Sequence, residues 1–170
     1  MHCHRNPSGL WGIGGILSAG VEAGLGSILG AGANGSYGGG VFYDPTTGQS
    51  NNGQFASFGA IAQVPNNVFT IPTTSDRPVG TLGASASATY GMFVTNANSA
   101  NELRGPFDTY SLNTSLFSIQ FGISNGTWIV SGGIGPSAGG SVSRYPTTTF
   151  YANDDAPFSS GVSANATSMK

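Results

Sequence analysis

TLGASASATYGMFV, residues 81–94, sets Leu82, Ala84, Ala86 and Ala88 against Gly83, Ser85, Ser87 and Thr89. Successive side chains of an extended chain point to opposite faces, so this two-residue period predicts a strand with one apolar and one polar face. Working outward from it, residues 64–80 carry Pro65, Pro72 and Pro78 and read as an extended connection or edge segment. Upstream, QFASFGAIAQV and Val41 to Tyr43 are rich in β-branched or aromatic residues and predict two strands. Between them, Asp44-Pro45 and Gly48 give one turn, and Asn51-Asn52-Gly53 a second reversal, so a hairpin with a long loop is expected.

Downstream, TNANSANELRGPFDTY (95–110) reads as a solvent-exposed loop holding Glu102, Arg104 and Asp108. SLNTSLFSIQFGIS (111–124) alternates, but its apolar face switches near Leu116 and Phe117, which predicts a bulge within one strand. Asn125-Gly126 is the strongest two-residue hairpin signal in the chain and leads into TWIVSGGIG. A last alternating run, AGGSVSRYPTTTFY, completes the pattern. No amphipathic helix is evident. The expected fold is all-β: an antiparallel meander of about six to eight short strands closed as a small barrel or folded as a sandwich. It divides into a glycine-rich lead-in at 1–35, a β domain at 36–152 and a polar tail at 153–170.

Composition narrows the function. Charged residues are 7% of the 170, with 28 glycines, 11% aromatics and a net charge of -2. Disordered chains are usually aromatic-poor and charge-rich, so an ordered core is expected. Arg5, Arg77, Arg104, Arg144 and Lys170 are scattered singly and form no stripe able to neutralise several phosphates, which argues against nucleic acid. Cys3 is the single cysteine, so an intrachain disulfide is excluded. Met1-His2-Cys3-His4 places soft ligands in a row that cannot converge on one tetrahedral ion. Residues 10–35 read first as a flexible or strand-forming lead-in and are also the one stretch suited to export or membrane contact, although Glu22 and its many glycines argue against a spanning helix.

Two motifs lack their context. Gly135-Pro136-Ser137-Ala138-Gly139 matches a nucleophile elbow, but no histidine follows it. Gly30-Ala31-Gly32-Ala33-Asn34-Gly35 matches a dinucleotide loop without the helix that holds a pyrophosphate. Carboxylates remain as the catalytic stock, namely Glu22, Asp44, Asp76, Glu102, Asp108, Asp154 and Asp155, with Asp44, Asp108, Asp154 and Asp155 as the candidates singled out. The oxygen-rich loop from Asp44 to Asn52 and the pair Asp154-Asp155 are the places for a hard cation, calcium being the one such oxygens suit. Tyr43, Phe55, Phe58, Tyr90 and Trp128 are the aromatics expected to bind a partner.

Asn6-Pro7-Ser8-Gly9-Leu10-Trp11 resembles the Asn/Asp-Pro-x-Gly-Leu segment that closes the core of bacterial Rhs/YD-repeat proteins. The segments Tyr43 to Gln49 and Gly135 to Ser143 are similar to the β-rich tails behind such cores. The resemblance implies a bacterial tail module, exported or delivered at the cell surface. Three functions stay open: a module binding a protein partner, an envelope surface or a small lipophilic ligand; a small calcium-dependent hydrolase of esters or lactones; and a membrane-active effector working through residues 10–35.

Overall fold

The computed structural model describes residues 9–64, 67–71 and 80–154. Nine strands run through them: β1 (Gly12–Gly26), β2 (Gly30–Asp44), β3 (Gln49–Val64), β4 (Asn67–Ile71), β5 (Gly80–Thr95), β6 (Gly105–Asn113), β7 (Phe117–Ser124), β8 (Thr127–Ile134) and β9 (Ser137–Asn153). One 3-10 turn, Ala100–Leu103, lies between β5 and β6. Every strand pair is antiparallel. The order β2-β1-β5-β8-β7-β6-β9-β3 returns on itself through β2–β3, so eight strands form a ring and β4 is appended to β3. The all-β antiparallel expectation holds.

Closure depends on the path from β8 to β9. Tyr90 pairs with Ile134 and Ser87 with Ser137, so both strands follow one line along β5. Gly135-Pro136 bridges them, and the Ala88 N–H donates to the Pro136 carbonyl at 2.9 Å. Farther on, β9 pairs with β6 from Ser141 to Thr149 and with β3 from Thr148 to Asn153. The register shift opposite Ala56/Ser57 leaves Phe150 as the extra residue of a bulge, which bends β9 around the ring.

Four expectations are corrected. The strands are not uniformly short: β1 and β2 have 15 residues, β3 and β5 have 16, and β9 has 17. The boundary at residue 35 falls inside β2, because the glycine-rich lead-in forms the first hairpin of the ring, with β1 held between β2 and β5 along its length. Pairing on both edges here outweighs the weak strand preference of glycine. The long loop at 44–53 is a tight turn: Asp44 pairs with Gln49, and Asn51 to Gly53 already pair with β2. The switch of apolar face at Leu116 and Phe117 marks a hairpin between β6 and β7, not a bulge; Thr114 closes it by accepting from the N–H groups of Leu116 and Phe117. The Asn125-Gly126 turn is found where expected, with φ of 46° and 85°.

Residues 95–110 are not a solvent-exposed loop: Gly105 to Tyr110 begin β6, and residues 95–104 cap the ring. Ala97, Ala100 and Leu103 fold over one end of the ring and complete an apolar cluster with Ile16, Phe42, Phe55, Phe93 and Phe107. The Phe55 and Phe93 rings meet edge-on at 5.1 Å. Asn96 fixes the loop to the β7–β8 turn, donating from Nδ2 to the Gly126 carbonyl at 2.8 Å and accepting from the Trp128 N–H at 2.7 Å. Glycine sets how closely strands approach: a Cβ on Gly91 would lie 1.8 Å from the Gly132 carbonyl oxygen. Gly91→Ala is therefore expected to destabilise the protein by about 1–3 kcal/mol, as overpacking does, seen as a lower thermal midpoint. An unchanged midpoint would show that β5 and β8 separate freely at this point.

The charged turns Asp44–Gln49 and Asn98–Arg104 lie at this capped end, hereafter the rim. The β1–β2 turn, Ser27 to Leu29, lies at the opposite end.

Candidate functional site

The alternation read from residues 81–94 continues around the ring, and away from the apolar cluster under the rim its polar face is the inner one. On β5, Thr81, Ser85 and Thr89 are buried, while Leu82, Ala84, Ala86, Ala88, Tyr90 and Met92 are exposed. On β1, Ile13, Leu17, Ala19, Val21, Ala23 and Leu25 face outward, and Glu22 faces inward at 4% exposure. On β7, Phe117, Ile119, Phe121 and Ile123 face outward, and Ser118 is buried. Among the buried described residues, polar side chains outnumber apolar ones. A sheet facing water normally shows the reverse.

Strand register joins the outer side chains into rows. Tyr37, Leu17, Tyr90, Ile134 and Phe117 lie side by side across β2, β1, β5, β8 and β7. Nearer the opposite end, Leu25, Leu82, Val142, Leu112 and Ile119 run across β1, β5, β9, β6 and β7. Between these rows, Ala19, Ala33, Gly35, Ala86 and Ala88 form a shallow trough of small residues. The apolar wall is interrupted on β6 and β9, where Arg144 Nη2 meets Asp108 Oδ2 at 3.4 Å and its guanidinium lies 5.1 Å from the centre of the Tyr110 ring.

Inside, hydroxyls satisfy one another. Ser85 and Ser141 share a bond of 2.8 Å, Asn113 donates to Ser141 at 3.3 Å, and Ser118 donates to Asn113 at 2.6 Å. Thr109 and Thr147 are 2.7 Å apart. Glu22 lies at the centre. Its Oε1 accepts from Tyr145 Oη at 3.0 Å and Ser111 Oγ at 3.2 Å, and its Oε2 accepts from Ser141 Oγ at 3.0 Å. These bonds cross the ring, since β1 shares no ladder with β6 or β9. A further interior cavity, lined by Asn34, Ser57, Gln120 and Thr149 among others, has a volume of about 40 Å³, so the ring is filled and holds no open passage there.

Burial raises the Tyr145 phenol well above its ordinary value of 10.0, and the Glu22 carboxylate beside it adds to the rise by its charge and hydrogen bond. A raised folded-state value means that the unfolded chain loses its proton first on alkalinisation. Stability is then intact below about pH 10 and falls above it. Tyr145→Phe is expected to flatten the alkaline limb of a stability-against-pH curve; an unaltered limb would assign that loss to other groups.

The carboxylates singled out from sequence serve local structure. Asp44 Oδ1 accepts from the Thr46 N–H at 2.8 Å and Oδ2 from Thr47 Oγ1 at 3.1 Å, which is a self-contained turn. Those bonds hold its carboxyl below the ordinary value. Asp154 Oδ1 accepts from the Ala100 N–H at 2.5 Å, and its Oδ2 from the Asn101 side-chain amide, so it fastens the 3-10 turn to the end of β9. Asp108 pairs with Arg144, and Asp155 lies outside the described residues. No three of the described His, Cys, Asp and Glu residues gather as metal ligands.

The aromatics separate likewise. Phe55 belongs to the apolar cluster, Tyr43 packs on Trp11 at 5.8 Å between ring centres, and Trp128 is half-buried beside Asn96. Phe58 and Tyr90 face outward and flank the trough. Sequence reasoning missed the centre at Glu22, although the serines and threonines at alternate positions of residues 81–89 and 141–149 were its visible signal. No helix among the described residues is long and apolar enough to cross a membrane, which says nothing about strands. No protein-family model, curated protein or solved structure matches this chain.

Proposed function

We propose that the chain is a membrane-embedded β module whose partner is the hydrocarbon of a lipid bilayer. One observation carries this reading: the outer wall of the ring is mostly apolar, while its interior holds a buried polar network around Glu22 beside the apolar cluster under the rim. A spanning sheet needs that sidedness, because lipid cannot satisfy polar groups and a closed ring of strands can. The dimensions agree. Fifteen residues of strand extend about 50 Å, and at a tilt near 45° they rise about 35 Å, against a hydrocarbon core of about 30 Å. The filled interior and the cap over the rim favour an anchor over a conducting pore.

This reading joins the envelope surface and the membrane contact expected from the sequence, but spreads the contact around the ring instead of confining it to residues 10–35. Delivery at a bacterial cell surface remains part of the proposal through the resemblance to Rhs-type tails. Among the described residues, no observation favours the hydrolase alternative. The test is flotation of the full chain with phosphatidylcholine vesicles on a density gradient, with entrapped dye as a second readout. The expected result is a floating protein, resistant to carbonate extraction, with the dye retained. Protein left at the bottom of the gradient after refolding from detergent would overturn the reading.

A further inference from the structure

Among the described residues the two ends of the ring differ in charge, and this difference gives the module a direction. At the rim stand Asp44, Glu102, Arg104 and Asp154, together with the polar turn residues Thr46, Thr47, Asn98 and Asn101. At the opposite end the β1–β2 turn reads Ser27-Ile28-Leu29. Turns in water select polar residues, yet Ile28 is 64% exposed and Leu29 47%. Leu25 and Leu82, paired beside this turn, are 66% and 62% exposed.

A second observation is independent of hydrophobicity. Backbone groups entering hydrocarbon must be satisfied within the protein. In this turn the Leu25 N–H donates to the Leu29 carbonyl at 2.7 Å, and the Ile28 N–H to the Leu25 carbonyl at 3.4 Å. Gln63, itself buried at 4% exposure, reaches from β3 and donates its side-chain amide to the Ser27 carbonyl. Apart from Ser27 the tip exposes apolar side chains, and the carbonyls of Leu25, Ser27 and Leu29 are bonded from within.

Resting on the bilayer reading above, we propose that the β1–β2 turn, with Leu25, Ile28, Leu29 and Leu82, is the leading end that enters the acyl-chain region, while the rim stays in water. The partner of the tip is the hydrocarbon of phospholipid, not a protein groove: the tip carries no charge, and its apolar surface continues without a break into the outer wall of β1 and β5.

The test attaches an environment-sensitive NBD dye to single cysteines in the full chain, with Cys3 replaced by serine. Ile28→Cys reports on the tip and Thr47→Cys on the rim. With phosphatidylcholine vesicles, the dye at position 28 is expected to shift to the blue, to gain several-fold in intensity and to be quenched by nitroxide on the acyl chains. The dye at position 47 is expected to remain open to aqueous iodide. Should the labelled protein float while position 47 is shielded and position 28 stays open to iodide, the direction is refuted and the bilayer reading survives. Should it not float at all, both fall. A paired variant, Ile28→Asp with Leu29→Asp, leaves the strands unaltered and is expected to lower vesicle-bound protein at least tenfold; unchanged binding would overturn the role of the tip.

Discussion

Leu17→Arg is expected to lower partition into phosphatidylcholine vesicles by roughly two orders of magnitude. Leu17 is 60% exposed in the middle of β1, between Tyr37 and Tyr90 on the neighbouring strands. An arginine facing lipid near the bilayer midplane costs about 2–4 kcal/mol, and each 1.4 kcal/mol is a factor of ten. In water the same substitution removes an exposed apolar side chain and is close to neutral for folding. The prediction therefore has two arms: lost flotation and an unchanged near-ultraviolet circular dichroism spectrum in detergent. Leu17→Phe, which keeps the face apolar, is the control and should float like the parent. If the arginine variant partitions within about threefold of the parent, the outer wall does not meet hydrocarbon, and the bilayer reading fails.

The sequence showed the alternation and left its direction open. In residues 81–94 the period of two was plain, and the structure keeps it, but periodicity alone does not say which face is inside. The missing information was global. Closure brings Ser85, Ser141, Asn113 and Ser118 side by side, so their hydroxyl and amide groups can satisfy one another. Adjacency of four strands is invisible to a window of ten residues. The glycine-rich first hairpin was obscured for a related reason: its strands are specified by partners on both sides more than by local preference. Local chemistry was legible where the turn itself decides the outcome, as at Asn125-Gly126, and misleading at Asn51 to Gly53, where pairing with β2 overrides a reversal signal. Glu22 interrupts the apolar segment only if that segment is a spanning helix. On a strand, the same residue lies on the face opposite Val21 and Ala23 and interrupts nothing.

That position gives the second large effect. Glu22→Ala is expected to cost about 3 kcal/mol of stability, measured by urea unfolding in detergent, whereas Glu22→Gln should stay within about 1 kcal/mol of the parent. Three hydroxyls donate to the carboxylate, and they do not lose equally. Ser111 keeps Ser143 as a partner, and Ser141 keeps Ser85 and Asn113. Tyr145, 1% exposed, donates to Glu22, so alanine removes the acceptor of a buried phenol hydroxyl, leaving it only the neighbouring Ser111 hydroxyl, beside a new void. Removing the carboxylate also removes the cost of burying it, which is why the expected loss is smaller than for a broken ion pair. Glutamine retains an oxygen for Tyr145, and serine hydroxyls can rotate to accept from its amide. The cycle with Tyr145→Phe separates these terms. If the lost phenol–carboxylate bond carries much of the loss, Glu22→Ala should cost about 1–2 kcal/mol less in the phenylalanine background. Equal costs in both backgrounds would make Glu22 a packing residue whose hydrogen bonds across the ring add nothing measurable to stability.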